Sequence, residues 1–217
     1  MRSPSSKPVA TYEQITDTKH QYFEDALNIY REAFPSSERH PVEVIKQRID
    51  SGKSTLIVGC VDREVALMAL LWELEHTSFT LFDYLATKES YRGKGLATAF
   101  LNKTFARFKA KGINLILEVE DPKYGNNKAE RAKRVSFFKQ NGARELTNVR
   151  YLLPPLQGEI ATEMILFISP GYTGKTIDAQ LVKAIITQIY SEVYSRGRND
   201  DLLNSFLYKI QGSIRLD

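Results

Sequence analysis

The chain is poor in the side chains that cross-link proteins or bind metal ions. It has one cysteine, Cys60, and three histidines, His20, His40 and His76. A single cysteine cannot form an intrachain disulfide or a thiolate metal site, and no two of the histidines have the spacing of metal ligands. These shortages exclude a disulfide-stapled fold, predict no metal site and favour a reducing, cytoplasmic setting.

Long apolar runs and a strong charge imbalance are also missing. The densest apolar run, Val65 to Trp72, is far too short to span a bilayer, and the first eight residues are polar, with two prolines and no signal-like apolar stretch. We expect a disordered tail over residues 1–8 and then a soluble protein with no membrane partner. The formal net charge of +4 suits an anionic ligand. The basic run from Lys123 to Lys139 lacks the interleaved aromatics that stack on bases, so no nucleic-acid partner is predicted.

Apolar periodicity predicts strands alternating with helices. Spacings of three and four predict helices near 23–34, 41–52, 95–111, 128–140, 177–194 and 201–210, and alternating or continuous apolar runs predict strands near 9–15, 54–61, 64–73, 78–87, 114–120, 149–153 and 162–169. Hairpin-linked strands beside strand–helix–strand crossovers indicate an α/β fold, in which a mixed sheet carries helices on both faces.

A glycine-rich basic turn stands where the strand near 78–87 gives way to a helical pattern. Its residues, which we call the glycine turn, are Arg92, Gly93, Lys94, Gly95, Leu96 and Ala97. The N–H groups of such a turn converge, and the N-terminus of the following helix carries partial positive charge. Glycine lets the backbone approach an anion without a Cβ in the way. The turn therefore predicts a site for a ligand that carries a pyrophosphate.

Two motifs in this element order resemble those of the GNAT superfamily of acyl-CoA-dependent N-acyltransferases. The family's cofactor motif is Arg or Gln, two free positions, Gly, one free position, then Gly or Ala, and the glycine turn matches it in register. The second motif is an aromatic pair followed, after three residues, by Gly; here it is Phe137 and Phe138 before Gly142. The resemblance covers roughly residues 11–169. It implies a mostly antiparallel sheet in an acyltransferase domain over 9–170, with 171–217 as a helical extension.

The resemblance also implies a reaction and a co-substrate. The protein would move an acetyl or other short acyl group from CoA to a primary amine by direct attack in a ternary complex. The acceptor would be a small molecule or a peptide, and the enzyme a monomer or homodimer without a metal. The pyrophosphate of acetyl-CoA would bind the glycine turn and Phe138 would contact the cofactor. The pantetheine arm would run along the strand end, at Leu85, Ala86 and Thr87. A non-catalytic acyl-CoA-binding module on the same fold is the alternative.

Glu118 and Glu120 are the candidates for the general base that amide formation needs. They are two residues apart on one predicted strand, so both side chains point to one face. Buried carboxylates there need water, a cation or a substrate. Either can take the proton of the amine. The alternative is a solvated strand end at which Glu120 pairs with a lysine.

The sequence identifies the proton donor to the leaving thiolate less directly than the base. The family often has a tyrosine at the second position of the aromatic pair, where this chain has Phe138, and a phenyl ring cannot donate a proton. Tyr151 is the candidate donor, and Tyr124 is the other nearby tyrosine. The alternative for Tyr151 is a packed ring whose hydroxyl is satisfied within the protein.

Other motifs have plainer interpretations. Residues 169–176 nearly spell a Walker A loop but lack its first glycine, and Thr176 is expected to cap the next helix. Cys60 lies in an apolar strand and is expected to be a small buried hydrophobe rather than a nucleophile. The resemblance implies second-rank contacts to the acceptor at Glu38, Arg39 and His40, with helix capping and a solvated turn as the alternative. Asp83 and Tyr84, on the fourth predicted strand, are comparable second-rank contacts.

Overall fold

The computed structural model describes residues 8–217, so residues 1–7 of the expected tail lie outside the described residues. The α-helices of the described part are α1 (Phe23–Ala33), α2 (Val42–Asp50), α3 (Leu96–Ala110), α4 (Lys128–Gln140), α5 (Ala179–Glu192) and α6 (Asp201–Leu207). Its strands are β1 (Thr11–Ile15), β2 (Ser54–Val61), β3 (Glu64–Glu73), β4 (Phe79–Thr87), β5 (Asn114–Glu120), β6 (Arg144–Glu145), β7 (Tyr151–Leu153), β8 (Thr162–Ile168), β9 (Thr176–Asp178) and β10 (Ser213–Arg215).

The chain divides into two compact units. The described residues of the first, which we call the N-unit, are 8–72 and 83–104; the second, the C-unit, contains 73–82 and 105–217. Strand β4 and helix α3 each run through both units.

The N-unit is built on antiparallel strands. Strand β1 pairs with β2, and β2 pairs with β3. Asp62 and Arg63 join β2 to β3 with φ angles of 49° and 67°, which suits the two-residue turns that match strand twist. The apolar stripe of α1, which includes Phe23, Leu27 and Tyr30, is buried in the core of this unit. Burial of this stripe explains why a short helix with a strongly amphipathic sequence is stable here.

The C-unit contains the one parallel pairing among the strand registers described here. Residues Phe79 to Phe82 of β4 run parallel to β5, as the crossover through α3 requires. Strand β8 pairs antiparallel with β5, β6 and β7. The strand order is β1-β2-β3-β4-β5-β8-β6, with β7 also on β8. The predicted α/β class with a mixed, mostly antiparallel sheet is confirmed.

The C-terminal segment differs from its prediction. Residues 176–178 form β9, which pairs antiparallel with β10 through Ile177 and Ile214, so α5 begins only at Ala179. Asp178 caps the helix, since its Oδ1 accepts hydrogen bonds from the N–H groups of Gln180 at 2.7 Å and Leu181 at 3.3 Å. The prediction of Thr176 as the N-cap was wrong, because Ile177 is buried in the strand pairing. A Walker A loop leads directly into a helix, and here the strand β9 follows instead.

Candidate functional site

The glycine turn lies in the N-unit, at the N-terminus of α3. Residues 92–95 are exposed. Gly93 and Gly95 have φ angles of +73° and +83°, and a Cβ built on either would meet no heavy atom within 4 Å. Positive φ favours glycine at both positions, and open space in front of both leaves room for a ligand.

Contacts around the turn fix its geometry. Arg92 Nε donates a hydrogen bond to the Thr87 carbonyl at 3.1 Å, and its Nη2 lies 3.0 Å from Glu32 Oε1. The Glu89 N–H donates to the same Glu32 oxygen at 2.9 Å. The Arg92 guanidinium thus ties the turn to the end of β4 and to α1. The Lys94 ammonium lies 5.0 Å from the centre of the Tyr91 ring, so the backbone N–H groups are the donors that the turn offers to an anion.

A pyrophosphate fits this arrangement. The N–H groups of the first turn of α3 have no carbonyl within the helix to bond, and the helix N-terminus attracts negative charge. Of the predicted pantetheine contacts, Ala86 is buried, and Leu85 and Thr87 are half-buried at the end of β4. The turn and the strand end before it thus have the features expected of a site for an anionic ligand.

Glu118 lies in the C-unit, on β5, and both oxygens of its carboxylate accept hydrogen bonds. Tyr151 on β7 donates its hydroxyl to Oε1, and Tyr194, just after α5, donates to Oε2 at 2.6 Å. Burial raises the pKa of Glu118 to about 7, although the two tyrosine hydrogen bonds lower it. A carboxylate that titrates near neutral pH has the proton affinity of a general base.

Glu120 has different partners, although it is only two residues away on the same strand. It is buried, and its Oε1 lies 2.6 Å from Arg131 Nη2. Arg134 pairs with its other oxygen. The Arg131 guanidinium also bonds the Asn127 side chain at 2.7 Å. Two cations from α4 therefore neutralise Glu120, where the sequence suggested at most a lysine.

The predicted tyrosines and the aromatic pair differ in burial and in their contacts. Tyr151 is fully buried and donates its hydroxyl to Glu118, so the structure brings these two predicted residues together. Tyr124 is exposed. Phe138 is half-buried on α4, with its ring 5.3 Å from that of Phe137. Sequence reasoning missed Tyr194, because its contact with Glu118 joins positions 76 residues apart.

Two of the second-rank residues, His40 and Asp83, form a buried polar cluster with Arg48 in the N-unit. Asp83 Oδ2 lies 3.9 Å from His40 Nε2 and 4.0 Å from Arg48 Nη1, and all three side chains are less than a tenth exposed. The Arg48 guanidinium stacks 4.7 Å from the Trp72 ring centre. Burial, together with the Arg48 charge, lowers the pKa of His40 to about 3. The imidazole is therefore neutral, and Arg48 supplies the charge that balances Asp83.

Two absences concern residues 8–217. In that range no group of three or more histidines, cysteines or carboxylates is placed to hold a metal ion. No helix in the same range is long and apolar enough to cross a bilayer.

Comparison with known proteins supplies a family. A model of the acetyltransferase (GNAT) family matches residues 23–142, which is more than half of the 217 residues. Among curated proteins none matches the chain significantly.

Three of the solved structures with a similar fold are named as acetyltransferases. A Bacteroides thetaiotaomicron protein named as a GNAT-family acetyltransferase is 20% identical, with a TM-score of 0.71 over 85% of this chain and 98% of its own. The ribosomal-protein-S18-alanine N-acetyltransferase of Escherichia coli is 18% identical, with a TM-score of 0.54 over 76% and 96%. A Bacillus subtilis acetyltransferase in complex with CoA is 12% identical, with a TM-score of 0.51 over 73% and 97%. Such identities establish likeness of fold.

Proposed function

Since the chain belongs to the acetyltransferase (GNAT) family, we propose that it is an N-acetyltransferase that moves an acetyl or other short acyl group from CoA to a primary amine. The observation that carries this proposal is Glu118, a carboxylate held by two tyrosine hydroxyls with a pKa near neutrality. The acceptor is a small-molecule or peptide amine, and the transfer is direct, in a ternary complex. The cytoplasm is the proposed location, and Cys60 is free and buried, in keeping with it.

We propose that acetyl-CoA binds with its pyrophosphate on the glycine turn. The positive φ angles of Gly93 and Gly95, the open space in front of them and the start of α3 support this placement. The pantetheine arm is assigned to residues 85–87 of β4, which lie beyond Phe82, the last residue of β4 in the register with β5, and Phe138 is a proposed cofactor contact. When bound, the co-substrate supplies an activated acyl carbon as a thioester.

We propose that Glu118 takes the proton of the acceptor amine. A free alkylamine has a pKa of about 10, so most of it is protonated and cannot attack at neutral pH. A carboxylate with a pKa of about 7 is ionised in about half of the molecules at that pH and accepts a proton readily. Glu120 is assigned a structural role, since Arg131 and Arg134 already neutralise it.

We propose Tyr151 as the proton donor to the leaving thiolate. Its hydroxyl donates a hydrogen bond to Glu118. Once Glu118 has taken the proton of the amine, Tyr151 can give its hydroxyl proton to the leaving thiolate and receive the Glu118 proton in its place. The alternative function, a non-catalytic acyl-CoA-binding module, is favoured by one observation: the half-buried Phe138 offers no proton where the family often has a tyrosine.

The test is a turnover assay that compares the wild-type chain with Glu118→Gln. Acetyl-CoA is supplied with amino acids, polyamines, amine-bearing antibiotics and peptides, and free CoA thiol and acetylated product are both measured. We expect Glu118→Gln to lower kcat by about 10²–10⁴-fold at unchanged affinity for acetyl-CoA. Glu163→Gln, the same change on the neighbouring strand β8, is the matched control. Wild-type turnover in Glu118→Gln would remove Glu118 as the base, whereas acetyl-CoA binding without any product in either protein would favour the binding module.

A further inference from the structure

The second hydroxyl on Glu118 comes from a part of the chain beyond the family match. That match ends at residue 142, and Tyr194 follows α5, near the end of the chain. Its hydroxyl lies 2.6 Å from Glu118 Oε2, while Tyr151 donates to Oε1. The carboxylate is therefore clamped on both oxygens, once from a strand of the sheet and once from the C-terminal segment.

An aromatic cluster holds Tyr194 in place. Its ring lies 6.0 Å from that of Tyr190, at an interplanar angle of 84°. Tyr190 in turn packs against Tyr151 at 6.2 Å and against Phe206 of α6 at 6.0 Å. The hydroxyl of Tyr190 donates to the Leu152 carbonyl. Tyr190 therefore donates its hydroxyl to the backbone, whereas Tyr194 donates its hydroxyl to Glu118.

We propose that Tyr194 is a positioning residue for Glu118, through which the C-terminal segment sets the proton affinity of the base. The effect on rate rests on the proposed function, whereas the effect on the Glu118 carboxylate does not.

The physical argument is a balance between burial and hydrogen bonding. Burial favours the protonated acid, and each hydroxyl that donates to the carboxylate favours the ionised form. A hydrogen bond to a charged group is worth enough that losing one raises the pKa by about one to two pH units. Without Tyr194, Glu118 would hold its proton at neutral pH and could not act as a base.

Burial and the two tyrosine hydrogen bonds account for the raised pKa of Glu118. The residues around it are neutral or paired with other charges. On β8, the residue opposite Glu118 is the apolar Leu166. Tyr190 is buried, and both burial and the Glu118 charge raise its pKa, so it stays neutral. Two further sets of charges are each paired: Glu120 with Arg131 and Arg134, and Arg196 with Asp200.

The test measures the proton affinity of Glu118 directly. Chains labelled with ¹³C at the glutamate carboxyl are titrated by NMR in the wild type, Tyr194→Phe and Tyr190→Phe, and Glu118→Gln assigns the signal. We expect Tyr194→Phe to raise the pKa of Glu118 by about one to two pH units, and Tyr190→Phe, a matched loss of a hydroxyl from α5, to leave it in place. An unchanged pKa in folded Tyr194→Phe would overturn the proposal, as would an equal shift in both variants.

A pH–rate profile separates positioning from a structural role. We expect the midpoint of kcat/KM in Tyr194→Phe to move to higher pH by the same amount, with the plateau at high pH retained. A lower plateau with an unmoved midpoint would mean that Tyr194 only packs. A shifted NMR titration in a wild-type protein that acetylates no amine would keep this inference and sink the proposed function; turnover with no shift would do the reverse.

Discussion

Glu118 should make the stability of this protein fall as pH rises. Its pKa is about 7 in the folded protein, mainly because of burial, against an ordinary value of 4.5. Between these values the folded state holds a proton that the unfolded state has released, so the free energy of unfolding decreases with pH. The favourable contribution is complete below about pH 4.5 and is lost by about pH 7. The shift corresponds to about 3 kcal/mol.

Glu118→Gln removes this dependence, because an amide does not titrate. Urea unfolding of both proteins at pH values from about 4.5 to 8 measures the effect. We expect the free energy of unfolding of the variant, minus that of the wild type, to rise by about 3 kcal/mol over this range. Altered hydrogen bonds to Tyr151 and Tyr194 add a nearly constant offset, so the slope is the test. Parallel curves would show that Glu118 titrates normally and would refute the argument for a base tuned by burial.

Three further predictions concern groups outside the proposed chemistry. Glu120→Gln leaves the Arg131 cation without its buried partner and should lower the free energy of unfolding by about 3 kcal/mol; an unchanged urea midpoint would contradict the structural role of Glu120. Asp178→Ala should cost about 1 kcal/mol in thermal unfolding through loss of the α5 cap, whereas Thr176→Ala should cost much less; equal losses would contradict the cap. Burial lowers the pKa of His40 to about 3 against an ordinary 6.5, so stability should fall as pH drops through this range. Between neutral pH and about pH 4, the free energy of unfolding of His40→Asn should fall by about 3 kcal/mol less than that of the wild type. The same fall in both proteins would contradict this.

Much of the fold and the glycine turn could be predicted from residues close together in sequence. Strand and helix positions followed from apolar periodicity, and the glycine turn could be located because its parts are adjacent in sequence. The signal failed for Ile177, since a three-residue strand has too few positions to show a period. Its pairing with Ile214 depends on a partner far along the chain.

The candidate base also depends on contacts between residues far apart in sequence, which local patterns do not predict. Glu118 and Glu120 look equivalent in sequence, two positions apart on one strand. Their environments differ because α4 brings arginines to Glu120, whereas β7 and the end of α5 bring hydroxyls to Glu118. Only the tertiary structure distinguishes a neutralised carboxylate from one with a raised proton affinity.

The most direct test of the account is calorimetric titration of the protein with acetyl-CoA. Three proteins are compared: the wild type, Gly95→Asp and Gly52→Asp. Gly52 is the matched control, because it also has positive φ, +72° against +83° at Gly95, with nothing within 4 Å of an added Cβ. Both substitutions impose similar backbone strain, but only Gly95→Asp places a carboxylate at the glycine turn. We predict binding in the wild type and in Gly52→Asp, and its loss in Gly95→Asp. No binding to the wild type, or equal binding to all three, would contradict the assignment of the glycine turn to the CoA pyrophosphate.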